Sequence, residues 1–343
     1  MIRFSKILLY ITLTILVLWQ LPWCIDFFTS KETRIPFTLY SSLKEDFISI
    51  THDEAKGGII GTDQQGQIYS QHEIDSLLPF FYMRQLVSDD RVPDTVNGVK
   101  IMPHMVQRTN FNYKSNPSDL NAKKPALYPL MESMSGRVDL EMPDDVFRIT
   151  DKGIEFITIS SNSIDEKKSG RFTKKMVEKG FTFPARQISG NQTTKKDYDE
   201  GYLILDKEGK LFQLKMAVGT PYVRQIELPE NIELKNVFIT EFRDRKTLGF
   251  LVDTENKFYV LVNKTYDLYN TGIAFNPVEE GLVIFGNMLD WTVCVTTDEG
   301  CDIYALDAYD YTQIKQMKIE MESNTPFGLH FTSYKDKYIK PRF

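Results

Sequence analysis

Carboxylates are the residues in this sequence whose types and spacing could do chemistry. Asp89, Asp90 and Asp94 surround an arginine in the stretch SDDRVPD, and Asp144 and Asp145 follow a proline. Paired acids of this kind can bind calcium, or can share the acid and base roles of a hydrolase or lyase that acts on an envelope polysaccharide. Asp beside Pro is more often a turn former, because its side chain bonds its own backbone. We therefore interpret these acids as turn formers and keep the enzyme as the alternative.

Other patterns for catalysis or metal binding are missing from the sequence. Four histidines are dispersed along the chain, at His52, His72, His104 and His330. None belongs to an HExxH motif, so a metal site would have to be assembled by the fold alone. Ser41 and Lys44 form an SxxK pattern without its partner motifs. The sequence therefore predicts no catalytic residue, no metal site and no cofactor.

The three cysteines leave two questions open. If Thr296 lies opposite Cys301 in a hairpin, Cys294 and Cys301 are diagonal neighbours rather than directly opposed residues. A disulfide needs Cβ atoms about 4 Å apart, so two free, packed thiols are favoured over a bridge. Cys24 could carry a lipid, but the bulky Trp23 before it does not fit the small residue of a lipoprotein signal.

The amino-terminal segment is apolar and long enough to span a membrane. Ile7 to Ile25 are 19 residues without a charge, which as a helix cover about 28 Å of a bilayer core of roughly 30 Å. Arg3 and Lys6 precede this run, so the positive-inside rule puts the amino terminus in the cytoplasm. A cleaved signal peptide is the alternative, but no small-x-small site follows. We predict that residues 1–28 are a single-pass anchor in the inner (cytoplasmic) membrane and that the carboxy-terminal domain is extracytoplasmic (periplasmic).

The part of the chain beyond the anchor is acidic. Residues 35–343 contain 37 Lys and Arg against 45 Asp and Glu, a net charge of −8. Such a field opposes nucleic acid, anionic lipid headgroups and phosphate-rich polymers, whose binding relies on clustered cations. Nucleic acid is therefore excluded as a partner.

A repeated hairpin pattern dominates the sequence after the anchor. In Thr292–Thr312 a β-branched run meets a polar turn, and apolar and polar residues then alternate as in a half-buried strand. The same pattern occurs at Gly57–Ser70, Val146–Ser160, Gly201–Lys215 and Gly249–Val262. Each of these stretches is predicted to form two antiparallel strands.

The spacing of these hairpins indicates a repeat architecture. The residues that close the five turns are Gly66, Gly153, Gly209, Asn256 and Gly300. Their separations are 87, 56, 47 and 44 residues, and Asn97-Gly98 supplies a hairpin-type turn inside the longest gap. Periods of about 40 to 50 residues made of short strands are typical of propeller blades. We predict an all-β fold, a β-propeller of six or seven blades formed by residues 29–343, with a β-sandwich as the alternative and Phe327–Ile339 closing the ring beside Phe47 to Ile50.

Two hairpins also carry a resemblance to a known superfamily. The segments IIGTDQQGQIYS and VCVTTDEGCDIYALDA resemble the repeats of quinoprotein-type (PQQ-type repeat) propellers, which include quinone-dependent dehydrogenases and extracytoplasmic scaffolds without cofactor. The chain lacks the adjacent cysteine pair of many quinone sites and the Trp that ends each repeat, so the resemblance implies a scaffold. The stretch ALYPLMESMSGRVDLEMPDDVFRI is similar to an uncharacterised family of bacterial envelope proteins without assigned function.

The least repetitive region is an insertion at about 110–145. Long ordered insertions on rigid scaffolds often carry binding sites. The candidate partner-binding residues are Leu130, Met131, Glu132, Met134 and Arg137, whose apolar members are expected to be exposed. A loop that plugs the propeller channel, with Glu132 and Arg137 paired, is an equal alternative.

These observations together favour a binding function over an enzymatic one. The sequence combines an anchor, a repeat scaffold and missing catalytic motifs. We expect an extracytoplasmic scaffold that is accessory to a membrane transporter or an envelope assembly, with a membrane protein as its partner.

Overall fold

The computed structural model describes residues 2–29, 35–53, 57–122, 125–297 and 299–320. It begins with one long helix, α1 (Ile2–Thr29). Within α1, Arg3–Leu21 has a mean hydropathy of 1.8, and none of it is buried against the protein. This helix is apolar and long enough to be a membrane anchor or a signal sequence.

The first sheet follows the helix and is entirely antiparallel. Its strands, in spatial and chain order, are β1 (Phe37–Ser41), β2 (Asp46–Asp53), β3 (Gly58–Thr62) and β4 (Ile68–Ser70). The β3–β4 hairpin is the first of the five predicted from the sequence. Its turn is closed by Gly66, whose φ of 83° suits a residue without a side chain.

Residues 71–121 form short helices and a small hairpin. The elements are α2 (Gln71–Leu77), α3 (Met83–Ser88), β5 (Thr95–Val96), β6 (Val99–Lys100), α4 (Pro103–Thr109), β7 (Phe111–Ser115) and α5 (Pro117–Asn121). Asn97 and Gly98 turn β5 into β6 with φ values of 50° and 78°. This confirms the hairpin turn that the Asn-Gly pair predicts.

A helix that the strand pattern did not predict packs on the second sheet. Its strands are β8 (Asp145–Ile149), β9 (Ile154–Thr158) and β10 (Ser163–Ile164), and α6 (Glu166–Glu178) packs on them. Asp165 caps α6 by accepting the Lys168 amide, and Phe172 and Met176 are buried one turn apart. The fold is therefore mostly β rather than purely β.

The third and fourth sheets are regular four-stranded meanders. The third comprises β11 (Gln187–Gly190), β12 (Tyr202–Leu205), β13 (Leu211–Ala217) and β14 (Thr220–Ile226). The fourth comprises β15 (Leu234–Ile239), β16 (Thr247–Asp253), β17 (Lys257–Val262) and β18 (Leu268–Ala274). Most residues of β12, β16 and β17 are buried, so both faces of these sheets are covered by neighbouring layers.

In three of the hairpin turns, a buried aspartate accepts the same pair of backbone hydrogen bonds. Asp63, Asp206 and Asp253 each accept the backbone amides of the residues two and four positions later through Oδ1. Each side chain thereby closes its own turn, which satisfies amides that would otherwise be unpaired. The recurrence of this turn supports the repeat that the sequence predicted.

The fifth sheet combines the end of the chain with a strand from the insertion. Its strands are β19 (Gly281–Gly286), β20 (Asp290–Thr297), β21 (Gly300–Asp307) and β22 (Gln313–Glu320), and β7 pairs with the outer edge of β19. All five predicted hairpins are therefore confirmed. The segment Phe327–Ile339, predicted to close the ring, lies outside the described residues, and β2, which it was expected to join, pairs with β1 and β3.

The cysteine prediction was wrong, although the register behind it was right. Thr296 does oppose Cys301, so Cys294 and Cys301 are diagonal neighbours. Nevertheless their sulfur atoms are bonded, and their Cα atoms are 6.3 Å apart. That separation lies within the range that disulfides span, so a diagonal pair in a twisted hairpin can be bridged.

Apolar clusters join the sheets in chain order. One cluster packs the second sheet on the third, another the third on the fourth, and another the fourth on the fifth. The fifth sheet then packs on the first through Tyr40, Phe47 and Ile303. Lys315 also reaches Asp46 across this last contact, with Nζ 2.7 Å from Oδ1. The structure thus shows stacked antiparallel sheets, and a closed ring of six or seven blades stays a prediction.

Candidate functional site

The insertion returns to the scaffold as a buried stem. Tyr128 and Phe147 exchange two backbone hydrogen bonds, of 2.9 and 2.7 Å. Leu130 and Met131 are only 0% and 2% exposed, and Leu130 packs into the cluster between the second and third sheets. The expectation that these two side chains are exposed was therefore wrong, because the chain crosses the sheets here instead of looping away from them.

Glu132 fastens the end of this stem to the turn between β13 and β14. Its Oε1 accepts the amides of Val218 and Met134 at 2.7 and 3.0 Å, and its Oε2 accepts the amide of Gly219 at 2.8 Å. Burial by itself would raise the pKa of the Glu132 carboxyl, but these three amides together hold it below the usual value. The carboxylate therefore fixes the point at which the chain leaves the sheets.

Arg137 does not pair with Glu132, so the paired plug that the sequence allowed is not formed by these two residues. Arg137 instead contacts Glu141, with Nη1 3.3 Å from Oε1, and both side chains are mostly exposed. An exposed pair of this kind contributes little to stability. Of the five candidate residues, Leu130 and Met131 are thus buried and Glu132 anchors the stem. Met134 and Arg137 lie beyond the stem.

Residues 134–142, here called the exposed loop, carry apolar side chains into solvent. Met134 is 65% exposed, Val138 is 92% exposed and Met142 is 52% exposed. Val218 on the adjoining turn is also exposed, and its amide shares the Glu132 oxygen with that of Met134. Three apolar side chains are therefore exposed within nine residues of the chain, and a fourth lies on the turn to which Glu132 is bonded.

Replacing Glu132 with glutamine should loosen the exposed loop. The neutral amide binds three backbone donors less well than a carboxylate, so we expect unfolding to become easier by about 1 to 2 kcal/mol. Hydrogen exchange at residues 133–142 should rise in Glu132→Gln and not in Glu141→Gln, whose carboxylate is exposed. Because the pKa of Glu132 is lowered on folding, its contribution exists above the ordinary value of 4.5 and is lost as pH falls, so the two proteins should converge in acid. Equal exchange at neutral pH would show that Glu132 does not hold the loop.

Three of the five acids that could have formed a catalytic site are used within the structure. Asp89 binds Arg91, with Oδ2 2.7 Å from Nη2, at the end of α3. Asp145 binds Lys168 at 2.5 Å, at the start of β8. Asp90 has a φ of 55° and sits in a turn. Asp89 and Asp145 are therefore ion-pair partners and Asp90 is a turn former.

The histidines also lie on separate elements. His52 is on β2, His72 on α2 and His104 on α4, whereas His330 lies outside the described residues. Among the residues that the structure describes, no three His, Cys, Asp or Glu side chains come together as metal ligands.

A cavity that the sequence did not indicate lies between the first and fifth sheets. Its volume is about 350 Å³, and it is lined by β1, the loop after α2, β7 and the adjoining ends of β19 and β20. Apolar side chains such as Phe80 and Phe285 form much of the wall, and the polar lining includes Ser42, Asn110 and Asp290. Asn110 donates to the Phe80 carbonyl, but its own Oδ1 has no partner among the described residues. An apolar cavity with a few convergent polar groups is the usual form of a small-ligand site.

Asp290 is the titratable group of this cavity. Its carboxylate accepts hydrogen bonds from the Ser42 hydroxyl and from Asn287 Nδ2, the latter at 3.0 Å. Burial raises the pKa of Asp290 to about 6, and the two donors only partly oppose it. No motif marks this residue in the sequence, because Ser42 lies 248 positions away; the one local signal is Asn287, whose Oδ1 accepts the Asp290 amide.

One protein family covers most of the chain. Its model matches residues 37–306, from β1 into β21. The chain belongs to the family described as Domain of unknown function (DUF4857). This confirms the expectation of a family without assigned function, whereas the PQQ-type repeat is not confirmed. No curated protein matches the sequence significantly.

Solved structures give only remote likenesses. PorZ, a bacterial surface component of the type-IX secretion system of Porphyromonas gingivalis, aligns over 86% of this chain and 33% of its own, with 10% identity and a TM-score of 0.26. The Cps50 (Swd1) β-propeller domain of Myceliophteria thermophila aligns over 62% of this chain and 61% of its own, with 10% identity and a TM-score of 0.29. The chain thus spans less than two thirds of either structure, and scores this low assign it neither a function nor a blade number.

Proposed function

We propose that the chain is a membrane-anchored, extracytoplasmic binding scaffold, accessory to a membrane transporter or an envelope assembly. Residues 1–28 are the anchor, residues 29–343 are the outer domain, and the exposed loop docks the membrane-protein partner. The observation that carries this proposal is the contrast between a buried stem, Leu130 and Met131, and the exposed side chains of Met134 and Val138 a few residues later.

This contrast matters because exposing aliphatic side chains in water is unfavourable. Burying each one in an interface is worth about 1.5 to 3 kcal/mol. The Glu132 hydrogen bonds fix the base of the loop, which reduces the ordering cost of binding. The charged side chains of Arg137 and Glu141 lie between the apolar ones and can form a polar rim.

A ring of six or seven blades would present this loop on a rigid frame. The proposal is supported by the packing of consecutive sheets and by the contact of the fifth sheet with the first. From the second sheet to the fifth, and from the fifth to the first, each sheet packs on the next, as radial stacking requires. Averaged electron-microscopy images along the ring axis should show six or seven sheets closed on themselves, and an open arc would contradict this arrangement.

The outer location of the domain is supported by two features. Arg3 and Lys6 precede the apolar run of α1, and Cys294 is bonded to Cys301, as is common in oxidising compartments. A reporter enzyme that is active only outside the cytoplasm, fused after Phe343, should therefore be active. Activity of a cytoplasm-only reporter at the same position would overturn both the orientation and the location.

Co-purification separates the binding scaffold from an enzyme. From detergent-solubilised membranes, a scaffold should bring down a membrane protein in stoichiometric amount. A monomer without partners that turns over an envelope polysaccharide would contradict the scaffold.

A hydrolase or lyase acting on an envelope polysaccharide is the second candidate function. Its catalytic residue would be Asp290 and not one of the paired aspartates. Asp290 has a pKa of about 6 and lines the cavity, and a raised pKa is typical of a general acid. Turnover of a polysaccharide that is lost in Asp290→Asn, while that variant still unfolds cooperatively, would establish this activity. No turnover of any envelope polysaccharide by the wild-type protein would remove this candidate.

A further inference from the structure

A basic cleft lies on a different part of this acidic domain. Its volume is about 550 Å³, and it is lined by His104, Gln107, Arg108, Asp197, Arg243, Arg245 and Lys264. Four cationic side chains thus face one carboxylate, although residues 35–343 carry a net charge of −8. The cleft therefore has the opposite sign to the net charge of the domain, and a local positive field of this kind attracts anions.

Three separate elements bring these cations together. Arg108 extends from α4, Arg243 and Arg245 from the turn between β15 and β16, and Lys264 from the turn between β17 and β18. Arg245 and Lys264 have φ values of 57° and 70°. The left-handed region is unfavourable for residues other than glycine. The surrounding structure therefore holds the backbone of Arg245 and Lys264 in a conformation that neither residue prefers by itself.

Most of this positive charge is not neutralised by the protein. Arg243 pairs with Asp197, with Nε 3.3 Å from Oδ2, and both side chains are more than half exposed. Arg245 lies over the ring of Tyr198 at 4.5 Å. Within the described residues, the side chains of Arg108 and Lys264 form neither a hydrogen bond nor an ion pair. Two cations are therefore available to bind an anion without first breaking a contact.

Asp244 is a further acid on which one of these cations, Arg108, acts electrostatically. Burial raises the pKa of Asp244, and the charges of Lys246 and Arg108 act against this rise. Asp244 also accepts the Lys246 amide at 3.1 Å. Its carboxylate therefore binds the backbone of its own turn, and the lining of the cleft keeps a net positive charge.

The lining of the cleft defines the chemical class of its ligand. None of its seven lining residues is apolar, so it does not suit an acyl chain or an aromatic ring. Arginine forks match the oxygens of phosphate and carboxylate groups in pairs, and lysine adds a point charge. The volume falls within the usual range for small-ligand sites and exceeds what one orthophosphate needs.

We propose that this cleft is a binding site for a small, hydrophilic, multiply charged oxyanion, bound by Arg108, Arg245 and Lys264. The ligand's charge comes from phosphate or carboxylate groups, which this set of donors recognises alike. The site is independent of the exposed loop, and its ligand is a small molecule rather than a protein.

Calorimetry with two probes tests this site and separates the two sources of charge. Sodium pyrophosphate and sodium citrate are titrated at matched ionic strength, with sodium chloride as the blank. At least one probe should bind saturably with one-to-one stoichiometry, and its affinity should fall as salt rises. The probe that binds more tightly identifies the source. Absence of saturable binding by either probe would overturn the proposal.

Paired substitutions locate the binding. Arg108→Gln with Lys264→Gln should weaken the bound probe by about tenfold for each cation removed. Arg171→Gln with Lys179→Gln, an equal change of charge on and just after α6, should leave the affinity unchanged. The charge-preserving pair Arg108→Lys with Lys264→Arg should retain at least part of it. Equal weakening in both neutralised pairs would mean that only net charge matters, and that result would also overturn the site.

Discussion

Partner capture should be lost when Met134 and Val138 are both changed to serine, while the protein melts as before. Both side chains are mostly exposed, so the folded state loses little when they become polar, and surface changes of this kind stay within about 0.5 kcal/mol. Burying the two side chains in an interface is worth about 3 kcal/mol or more. The apparent Kd for the partner should therefore rise by about a hundredfold. Melting and co-purification are measured on the same variant.

Two further variants make this result specific. Met131→Ser changes a side chain that is 2% exposed, so it should lower the melting temperature, and any loss of partner should follow from unfolding. Tyr309→Ser changes a side chain that is 89% exposed on the turn between β21 and β22, so it should affect neither property. A stable Met134 and Val138 variant that still captures the partner would place the interface elsewhere on the domain.

Asp290→Asn should remove a pH dependence of stability between about pH 4 and 6. The pKa of Asp290 is about 6 in the folded protein against an ordinary value of 3.8. A raised carboxyl pKa contributes stability that is fully present below 3.8 and is lost as pH rises through 6. The loss amounts to about 3 kcal/mol. Unlike the acid, the amide stays neutral and can still bond to Ser42 and Asn287.

The free energy of unfolding of both proteins is measured by denaturant titration from pH 4 to pH 7. The wild-type value should fall relative to the variant over this range, so that the variant is the more stable at pH 7. Asp139→Asn, a change in an exposed residue of the loop, serves as the control and should follow the wild type. Parallel profiles for wild type and Asp290→Asn would show that the carboxyl is not buried in the wall of the cavity between the first and fifth sheets.

Local features of this fold could be predicted from the sequence. Alternation of apolar and polar residues around polar turns that Gly or Asn closes predicted all five hairpins, because the register of a hairpin is set by its own turn. The repeated aspartate turns at Asp63, Asp206 and Asp253 show why this signal is strong. The strand pattern did not predict the helix α6, although Phe172 and Met176 have helical spacing and Asp165 is a capping residue.

Long-range features could not be predicted in this way. The strand β7 joins the fifth sheet across more than 150 residues, and no local pattern shows that pairing. The apolar residue types of Leu130 and Met131 fit an exposed loop as well as a core. Only the structure shows that both are buried, with Leu130 packed between the second and third sheets. The Asp290 site and the basic cleft are likewise assembled from distant segments.

Photocrosslinking at Val138 tests the docking role of the exposed loop most directly. A photoreactive phenylalanine derivative is introduced at Val138 or, as the control, at Tyr309, since both positions are about nine-tenths exposed. The full-length protein is then irradiated in intact cells. We predict a single crosslinked membrane protein from position 138 and none from position 309. No adduct at 138, or the same adducts at both positions, would contradict the scaffold function proposed for this chain.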